Sequence, residues 1–261
     1  MISLMDMTLI QASFLFLAAL SSGVLNSVAG GGGLIVFPAL LITGMSPVVA
    51  NATSTVAALP GLIASVKAYQ ADLQDSRRLC VVFSSVSLVG GIIGALLVLW
   101  ISGEILKELV PYLLLLATLL FTFSDSLLSW LSTVLPKADQ NSRSSPHTSS
   151  LVLFFVAIYG GFYGLGISFL LLAVLRLLGL EQIHQINGLK VLLMSCNTIA
   201  ATITFIPVGV INWNQAFFIM LGSTIGGYVG AYYARKLNPQ LVKYLIVVTG
   251  FGMTSYFFIH T

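Results

Sequence analysis

The segment VGGIIGA at residues 89–95 recurs as IGGYVGA at residues 225–231, so the two copies lie 136 positions apart. Two further matches keep the same shift: Asn51-Ala52 aligns with Asn187-Gly188, and Leu106-Lys107 aligns with Val242-Lys243. A single glycine match would carry no weight. A constant shift across three separated blocks indicates that the chain contains two homologous halves.

The composition places these halves in a membrane. Hydrophobic residues make up 57% of the chain and charged residues only 7%, against about 25% in soluble domains. Residues 7–66 and 191–234 contain no Asp, Glu, Lys or Arg. Each stretch is long enough for more than one spanning helix of about 20 residues. We therefore expect an all-α polytopic membrane protein. Duplication in such a chain is typical of transporter cores.

Hydrophobic runs predict five membrane elements in each half. The first half, residues 1–135, contains runs at 8–28, 34–43, 48–69, 79–101 and 105–135. A Ser-rich polar stretch at 136–150 is predicted to be a cytoplasmic linker. The second half, residues 151–261, contains runs at 151–164, 168–178, 183–205, 213–234 and 240–259.

The basic residues predict the orientation of these elements. Lys67, Arg77, Arg78, Lys137 and Arg143 fall in two loops separated by two crossings, hence on one side. Five elements per half would put Arg235, Lys236 and Lys243 on that side too, whereas four would put them opposite. The positive-inside rule favours five. It predicts inverted repeats in the plasma membrane, cytoplasmic basic loops and both termini outside. The absence of a basic stretch before the first apolar run argues against a cleaved signal peptide.

Glycines flank the short elements in both halves. Gly30, Gly31, Gly32 and Gly33 precede the first, and Gly160, Gly161, Gly164 and Gly166 punctuate the matching place in the second. Each glycine inside a helix costs roughly 0.5–1 kcal/mol relative to alanine, so broken or re-entrant helices are expected. Irregular backbone at membrane depth lines wet cavities or is buried in protein. Gly31, Gly32 and Gly33 are therefore candidate cavity residues, with close helix packing as the alternative.

For two other glycine pairs the preferred interpretation is reversed. Gly90 with Gly94, and Gly226 with Gly230, have the GxxxG-like spacing at which membrane helices approach closely. We expect both pairs to pack helices together.

Lys190 is the leading candidate for binding a ligand. It lies about seven residues into a predicted helix and is followed by 44 residues without another charge. A lysine at that depth costs several kcal/mol unless it faces water, a partner or an anion. Asn187 and Asn197 share its helix face, so an ammonium flanked by amides could seat an oxyanion. Snorkelling of Lys190 to the interface and pairing with Glu181 or Asp125 are the alternatives.

The first half supplies further polar candidates. Asn51, Thr53 and Ser54 follow Pro47 near a helix N-terminus, where free N–H groups attract anions, and Ser54 occupies the position that matches Lys190. Ordinary N-capping is the alternative for these residues. Asn26 and Ser27 could line the same cavity or bond their own helix.

For three other ionisable residues the sequence gives weaker indications of a functional role. Arg176 could approach an anion, snorkel or pair with Glu181. Asp125 could relay protons or lie at the interface, and His184 could titrate near neutrality. Coupling to protons is left open on this basis.

Catalysis, metals and cofactors have no sequence support. The chain lacks a GxSxG elbow, an HExxH motif and a Walker A motif. Cys80 and Cys196 lie in apolar segments without CxxC spacing, which favours buried thiols. We expect no enzyme activity, no metal or cofactor, and no nucleic-acid partner. The expected partners are the lipid bilayer and a small anionic substrate, and the sequence does not define an oligomeric state.

A family resemblance rests on these same residues. The run GVLNSVAGGGG at 23–33, followed by Pro38, Gly44, Pro47 and ANATS at 50–54, resembles the sulfite exporter TauE/SafE family of membrane transporters. The run NGLKVL at 187–192 with Asn197 is similar to that family's second repeat. The glycine blocks at 90–94 and 226–230 also match, so the resemblance covers nearly the whole chain.

The resemblance implies secondary transport, usually export, of anions such as sulfite, sulfonates or thiosulfate. Its motif residues on this chain are Gly30, Gly31, Gly32, Gly33, Asn51, Thr53, Ser54, Asn187 and Lys190. The second repeat departs from the pattern: it reads GLGISF at 164–169 where a glycine cluster is common, and Ala173 or Val174 replaces a frequent proline. The second short element is therefore expected to be more regular.

Taken together, the residues and the resemblance predict an alternating-access transporter that binds a small anion between its repeats. An anion channel is the main alternative. An intramembrane enzyme or assembly factor is disfavoured because the chain lacks the known sets of catalytic residues. Cation transport is disfavoured because the membrane segments are short of acidic residues.

Overall fold

Helices make up most of the chain that the structure describes. The structure is a computed structural model that describes residues 9–29, 32–124, 126, 146–177, 180, 182–233 and 239–260. Within these residues the helices are α1 (Leu9–Ala29), α2 (Gly33–Ile42), α3 (Pro47–Ala68), α4 (Arg77–Trp100), α5 (Gly103–Thr122), α6 (Pro146–Phe162), α7 (Ile167–Leu177), α8 (Ile183–Val208), α9 (Trp213–Tyr233) and α10 (Pro239–His260). A 3₁₀ helix, Ala71–Ser76, joins α3 to α4. The all-helical prediction is confirmed for the described residues.

Four helices are long and apolar enough to cross a membrane, counted over the described residues alone. The spans are Pro47–Lys67, Arg77–Trp100, Gly103–Thr122 and Gln185–Val208. The helices α2 and α7 have only 10 and 11 residues. At 1.5 Å per residue they cover about 15 Å, half the hydrocarbon thickness. The predicted short apolar elements are therefore present in both halves.

The order of the helices repeats along the chain. Helices α8, α9 and α10 begin 136 residues after α3, α4 and α5, respectively. This shift equals the shift between the repeated sequence blocks, so the duplicated segments start their helices at equivalent positions.

Two predicted boundaries differ from the observed ones. Helix α6 begins at Pro146, inside the predicted linker, because proline at the first helical position has a suitable φ and needs no N–H partner. Phe123 lies in a turn after α5. Most of the predicted continuation to residue 135 lies outside the described residues. The 3₁₀ helix between α3 and α4 was not predicted.

The chain divides into two compact units that combine helices from both halves of the sequence. Unit 1 contains residues 1–61, 101–118 and 205–261, and unit 2 contains residues 62–100 and 119–204. The predicted division into 1–135, 136–150 and 151–261 describes order along the chain and stays a prediction.

In unit 1, α1 and α9 pack through small residues. A Cβ added to Gly222 would lie 2.9 Å from the Cβ of Ala19, and one added to Gly23 would lie 2.7 Å from the backbone nitrogen of Gly227. A Cβ on Gly226 would clash with the carbonyl oxygen of Leu20. The contact numbers rise together along both helices, so α1 and α9 run parallel.

In unit 2, α4 packs in the same way against α6. A Cβ on Gly90 would lie 2.5 Å from the Cβ of Ala157, and one on Gly94 would lie 2.8 Å from the carbonyl carbon of Gly161. These numbers also rise together, so α4 and α6 are parallel. The predicted packing role of Gly90, Gly94 and Gly226 is confirmed by these close approaches.

Helix α8 joins the same bundle of unit 2. The Ser87 hydroxyl donates to the carbonyl oxygen of Leu193 at 2.8 Å, and a Cβ on Gly91 would lie 3.0 Å from the Cβ of Ala200. Helix α8 is therefore parallel to α4 as well. Fully buried apolar side chains, including Leu171 and Leu189, form the core of this unit.

Large apolar side chains are also exposed on these helices. Trp100 is 83% exposed and Ile203 is 61% exposed. Extensive apolar exposure is unusual for a protein surrounded by water. It is expected for helices whose outer faces contact lipid.

Candidate functional site

Lys190 lies on α8, seven residues after the first residue of that helix and inside the span Gln185–Val208. Its side chain is partly buried, and its neighbour Leu189 is fully buried. At 1.5 Å per residue, its Cα lies about 10 Å along the helix. The predicted position of a cation inside a spanning helix is therefore found.

No described carboxylate pairs with Lys190 in the structure. Burial removes part of the water around this side chain, and no charged group among the described residues acts on it. Glu181 and Asp125, the two acids considered as partners, lie outside the described residues, as does the His184 side chain. Arg176 is exposed in the last turn of α7.

Of the two amides expected beside Lys190, Asn187 is partly buried one turn before it. Asn197 is only 3% exposed, and its Nδ2 donates to the carbonyl oxygens of Ala157 at 2.7 Å and Ser87 at 3.4 Å. The amide protons of Asn197 therefore join α8 to α6 and α4. In this conformation they bind the protein itself, which leaves Lys190 and Asn187 as the two unengaged members of the predicted group within the described structure.

In unit 1, polar residues on α3 also form hydrogen bonds to the backbone of the protein itself. Thr53 is fully buried, and its Oγ1 accepts a hydrogen bond from the backbone N–H of Asn212 at 3.0 Å. The Ser54 hydroxyl donates to the carbonyl oxygen of Asn51 at 3.0 Å. Asn51 is 3% exposed. Thr53 thus connects α3 to the start of α9, while Ser54 bonds its own helix.

Sequence reasoning missed one polar group next to Thr53. Asn212 caps α9, because its Oδ1 accepts from the backbone N–H of Gln215 at 3.2 Å. The Oε1 of Gln215 is buried and has no hydrogen-bond partner among the described residues. The pattern of Asn followed three residues later by Gln, just before an apolar run, is a recognised helix start and could have identified both residues.

The glycine-bounded turns have different geometry in the two halves. Gly32 is buried before α2, and its carbonyl oxygen accepts from the Ser22 hydroxyl at 2.8 Å. Gly33 begins α2, whereas Gly30, Gly31 and the side chains of Asn26 and Ser27 lie outside the described residues.

In the second half, the turn between α6 and α7 contains Gly164 and Gly166, with φ of +73° and +79°. Residues with a Cβ rarely adopt this left-handed region. The Tyr159 hydroxyl donates to the Leu165 carbonyl oxygen at 2.7 Å and holds the turn. The expected helix break is confirmed here.

A cavity of about 340 Å³ also lies in unit 2, along the face of α8 that carries Leu192 and Cys196. With 3.6 residues per turn, this face is roughly opposite to that of Lys190. Both cysteines of the chain are free and partly buried. The part of the chain that the structure describes contains no cluster of three or more metal-binding side chains.

The fold and these polar positions define a class of protein: a multi-pass helical membrane protein with polar side chains inside its spanning helices, as in membrane transporters. Comparison with known families gives the particular group. The model of the sulfite exporter TauE/SafE family matches residues 15–257, so the chain belongs to that family.

Curated relatives agree with this assignment. A probable membrane transporter protein of Haemophilus influenzae is 31% identical over 96% of this chain and 96% of its own length. The probable membrane transporter protein ORF9 of a Sinorhizobium species is 28% identical, over 95% of this chain and 92% of its own. The probable membrane transporter protein YfcA of Escherichia coli K12 is 28% identical, over 92% and 87%. No solved structure matches the chain significantly. The family and the relatives indicate a membrane transporter.

Proposed function

We propose that the protein is a secondary transporter that exports a small, sulfur-containing anion, such as sulfite, a sulfonate or thiosulfate, across the plasma membrane by alternating access. The observation that carries this proposal is Lys190: a partly buried lysine inside a spanning helix, with no described carboxylate beside it. The family membership supports sulfur-containing cargo.

The chemistry of the proposed binding group follows from its two side chains. The Lys190 ammonium supplies a positive charge with three N–H donors, and the Asn187 amide, one turn away, supplies directional donors. An oxyanion can accept from both and offset the cost of a cation at this depth. Asn51 and Ser54 are their counterparts by the duplication and remain candidate ligands.

The directions of the helices support an inverted repeat. Consecutive helices that cross a membrane run in opposite directions, so α6 and α8 can be parallel only if α7 carries the chain back. By the same count along the chain, α1 and α9 can be parallel only if α2 also crosses and reverses the direction of the chain. Within the described residues this gives ten crossing helices, five per half, and repeats with an odd number of crossings are inverted.

The same count supports the proposed orientation. Five crossings per half would put the chain segments that follow α3 and α9 on one side of the membrane. In the sequence these segments contain the basic residues Lys67, Arg77, Arg235 and Lys236. The positive-inside rule then favours a cytoplasmic position for both segments, with both termini outside.

Transport assays can test the proposal directly. The protein in vesicles loaded with unlabelled thiosulfate or sulfite should accumulate the labelled anion by counterflow, a property that an open channel lacks. Lys190→Ala should abolish this uptake, and Lys190→Arg should retain part of it because the charge is kept. Lys107→Ala, which removes an exposed lysine on α5, is the matched control. Full counterflow by Lys190→Ala would refute the proposed role of Lys190. Repeating the assay with and without a pH gradient distinguishes proton coupling from an anion gradient.

A further inference from the structure

The cavity of unit 2 is a groove between the end of α3 and the middle of α8. Its α3 wall consists of Ile63, Val66 and Lys67, continued by Gln70 just after the helix. The spacing of these positions, i, i+3, i+4 and i+7, is that of one helix face. The groove therefore follows the long axis of α3.

The α8 wall has the same spacing. It consists of Leu192, Ser195, Cys196 and Ile199. The Ser195 hydroxyl already donates to the Val191 carbonyl oxygen at 2.8 Å, so this wall presents mainly apolar surface. The groove thus faces away from Lys190 and is separate from the proposed anion site.

Polarity changes along the groove. Lys67 and Gln70 are exposed at the end of α3, whereas Ile63, which is 54% exposed, lies one turn deeper. One turn of helix corresponds to about 5 Å. The 3₁₀ helix that follows Gln70 contains the exposed carboxylate of Asp72, and the exposed Arg77 and Arg78 begin α4 after it. The lining of the groove therefore combines an apolar interior with one cation, Lys67, at its exposed end.

We propose that this groove binds an anionic phospholipid, with one acyl chain against Ile63, Leu192 and Ile199 and the phosphate at the Lys67 ammonium and Gln70 amide. Apolar walls exclude a small inorganic anion as the matching ligand, because such an anion would leave them uncovered. Basic residues at a membrane surface attract anionic headgroups, and a volume of about 340 Å³ lies within the range of ligand pockets. The binding does not depend on the transported cargo.

Cys196 provides a built-in reporter of occupancy, since the chain has only two cysteines. In a Cys80→Ala background, the protein is reconstituted in vesicles of phosphatidylcholine with increasing phosphatidylglycerol, and alkylation of Cys196 by N-ethylmaleimide is timed. Phosphatidylglycerol should slow the alkylation. Lys67→Gln should raise the fraction of phosphatidylglycerol needed for half protection about fivefold, whereas Lys107→Gln should leave it unchanged.

A second measurement leaves both cysteines in place. Native mass spectrometry of protein released from the mixed vesicles should detect one retained phosphatidylglycerol, which Lys67→Gln loses and Lys107→Gln keeps. Equal alkylation rates in both vesicle types, or protection that survives Lys67→Gln, would overturn the proposal. Protection by methanesulfonate in pure phosphatidylcholine would assign the groove to small anions instead. Cross-linking of two protomers through Cys196 would assign it to a second copy of the chain.

Discussion

Each unit contains a close contact between two helices, called its seam. The two seams involve equivalent helices of the two halves but differ in their side-chain hydrogen bonds. Unit 1 pairs α1 with α9, and unit 2 pairs α4 with α6, so each seam joins the first element of one half to the fourth element of the other. Glycines let the backbones meet in both. Unit 2 adds a side-chain clamp, Asn197, which bonds to α4 and α6.

The position on α3 that matches Asn197 is Gly61, and a Cβ there would have nothing within 4 Å. The same comparison applies to Ser87, which bonds across to α8, and its counterpart Ser223, which bonds to Met220 of its own helix. At the positions that the predicted repeat aligns, the close backbone packing is the same in both halves while the polar side chains bond differently. The single charge at Lys190, opposite Ser54 in the alignment, belongs to this divergence, so the two halves are expected to contribute unequally to anion binding.

The largest effect is expected from adding a methyl group to either seam. Gly94→Ala and Gly226→Ala place a Cβ against backbone carbonyl oxygens of Ile158 and Leu20, which cannot move without shifting a helix. Overpacking of this kind typically costs about 1–3 kcal/mol. Thermal unfolding of the purified protein in detergent should show a large loss for both variants.

Gly61→Ala is the matched control, since it adds the same methyl group to a helix with open space around it. It should be neutral or stabilise the protein by up to about 1 kcal/mol, because alanine is the better helix former. If Gly61→Ala lowers stability as much as Gly94→Ala, the seams are not special and the comparison fails.

Removal of the clamp in unit 2 should have an intermediate effect. Asn197→Ala loses two hydrogen bonds and leaves buried carbonyl oxygens of Ser87 and Ala157 without this donor, at a cost of about 1–2 kcal/mol. The change should appear in thermal unfolding. Anion binding should persist if Asn197 is structural, whereas loss of binding with unchanged stability would return Asn197 to the binding site.

The smallest effect is expected for the pair of serines. Ser87→Ala removes a bond between two helices and should cost about 0.6 kcal/mol, the average for such bonds inside membranes. Ser223→Ala removes only a bond within α9 and should cost less. Equal losses in the two variants would remove the asymmetry that the comparison proposes.

Much of the fold was predictable from local patterns. The first residues of α3 and α8 follow from apolar runs that begin at Pro47 and after the polar residues before Ile183. The 136-residue shift predicts equivalent helix starts in both halves. The left-handed turn between α6 and α7 follows from Gly164 and Gly166, since few other residues adopt that backbone conformation.

The partners of the polar side chains were not predictable from those patterns. Asn197 shares a helix face with Lys190, which made it a candidate ligand, yet the carbonyl oxygens it binds come from α4 and α6. Thr53 likewise meets the start of α9, 159 residues away in the chain. Helix periodicity shows which face a residue occupies but not which backbone lies opposite that face.

Equilibrium binding of labelled thiosulfate and sulfite to purified protein tests the central claim most directly. Wild-type protein and Lys107→Ala should bind at least one of these anions, and Lys190→Ala should bind neither while keeping its unfolding temperature. A ligand that binds only the folded state should also raise that temperature in the first two proteins and not in Lys190→Ala. Unchanged affinity in Lys190→Ala would contradict the claim that this lysine receives the transported anion.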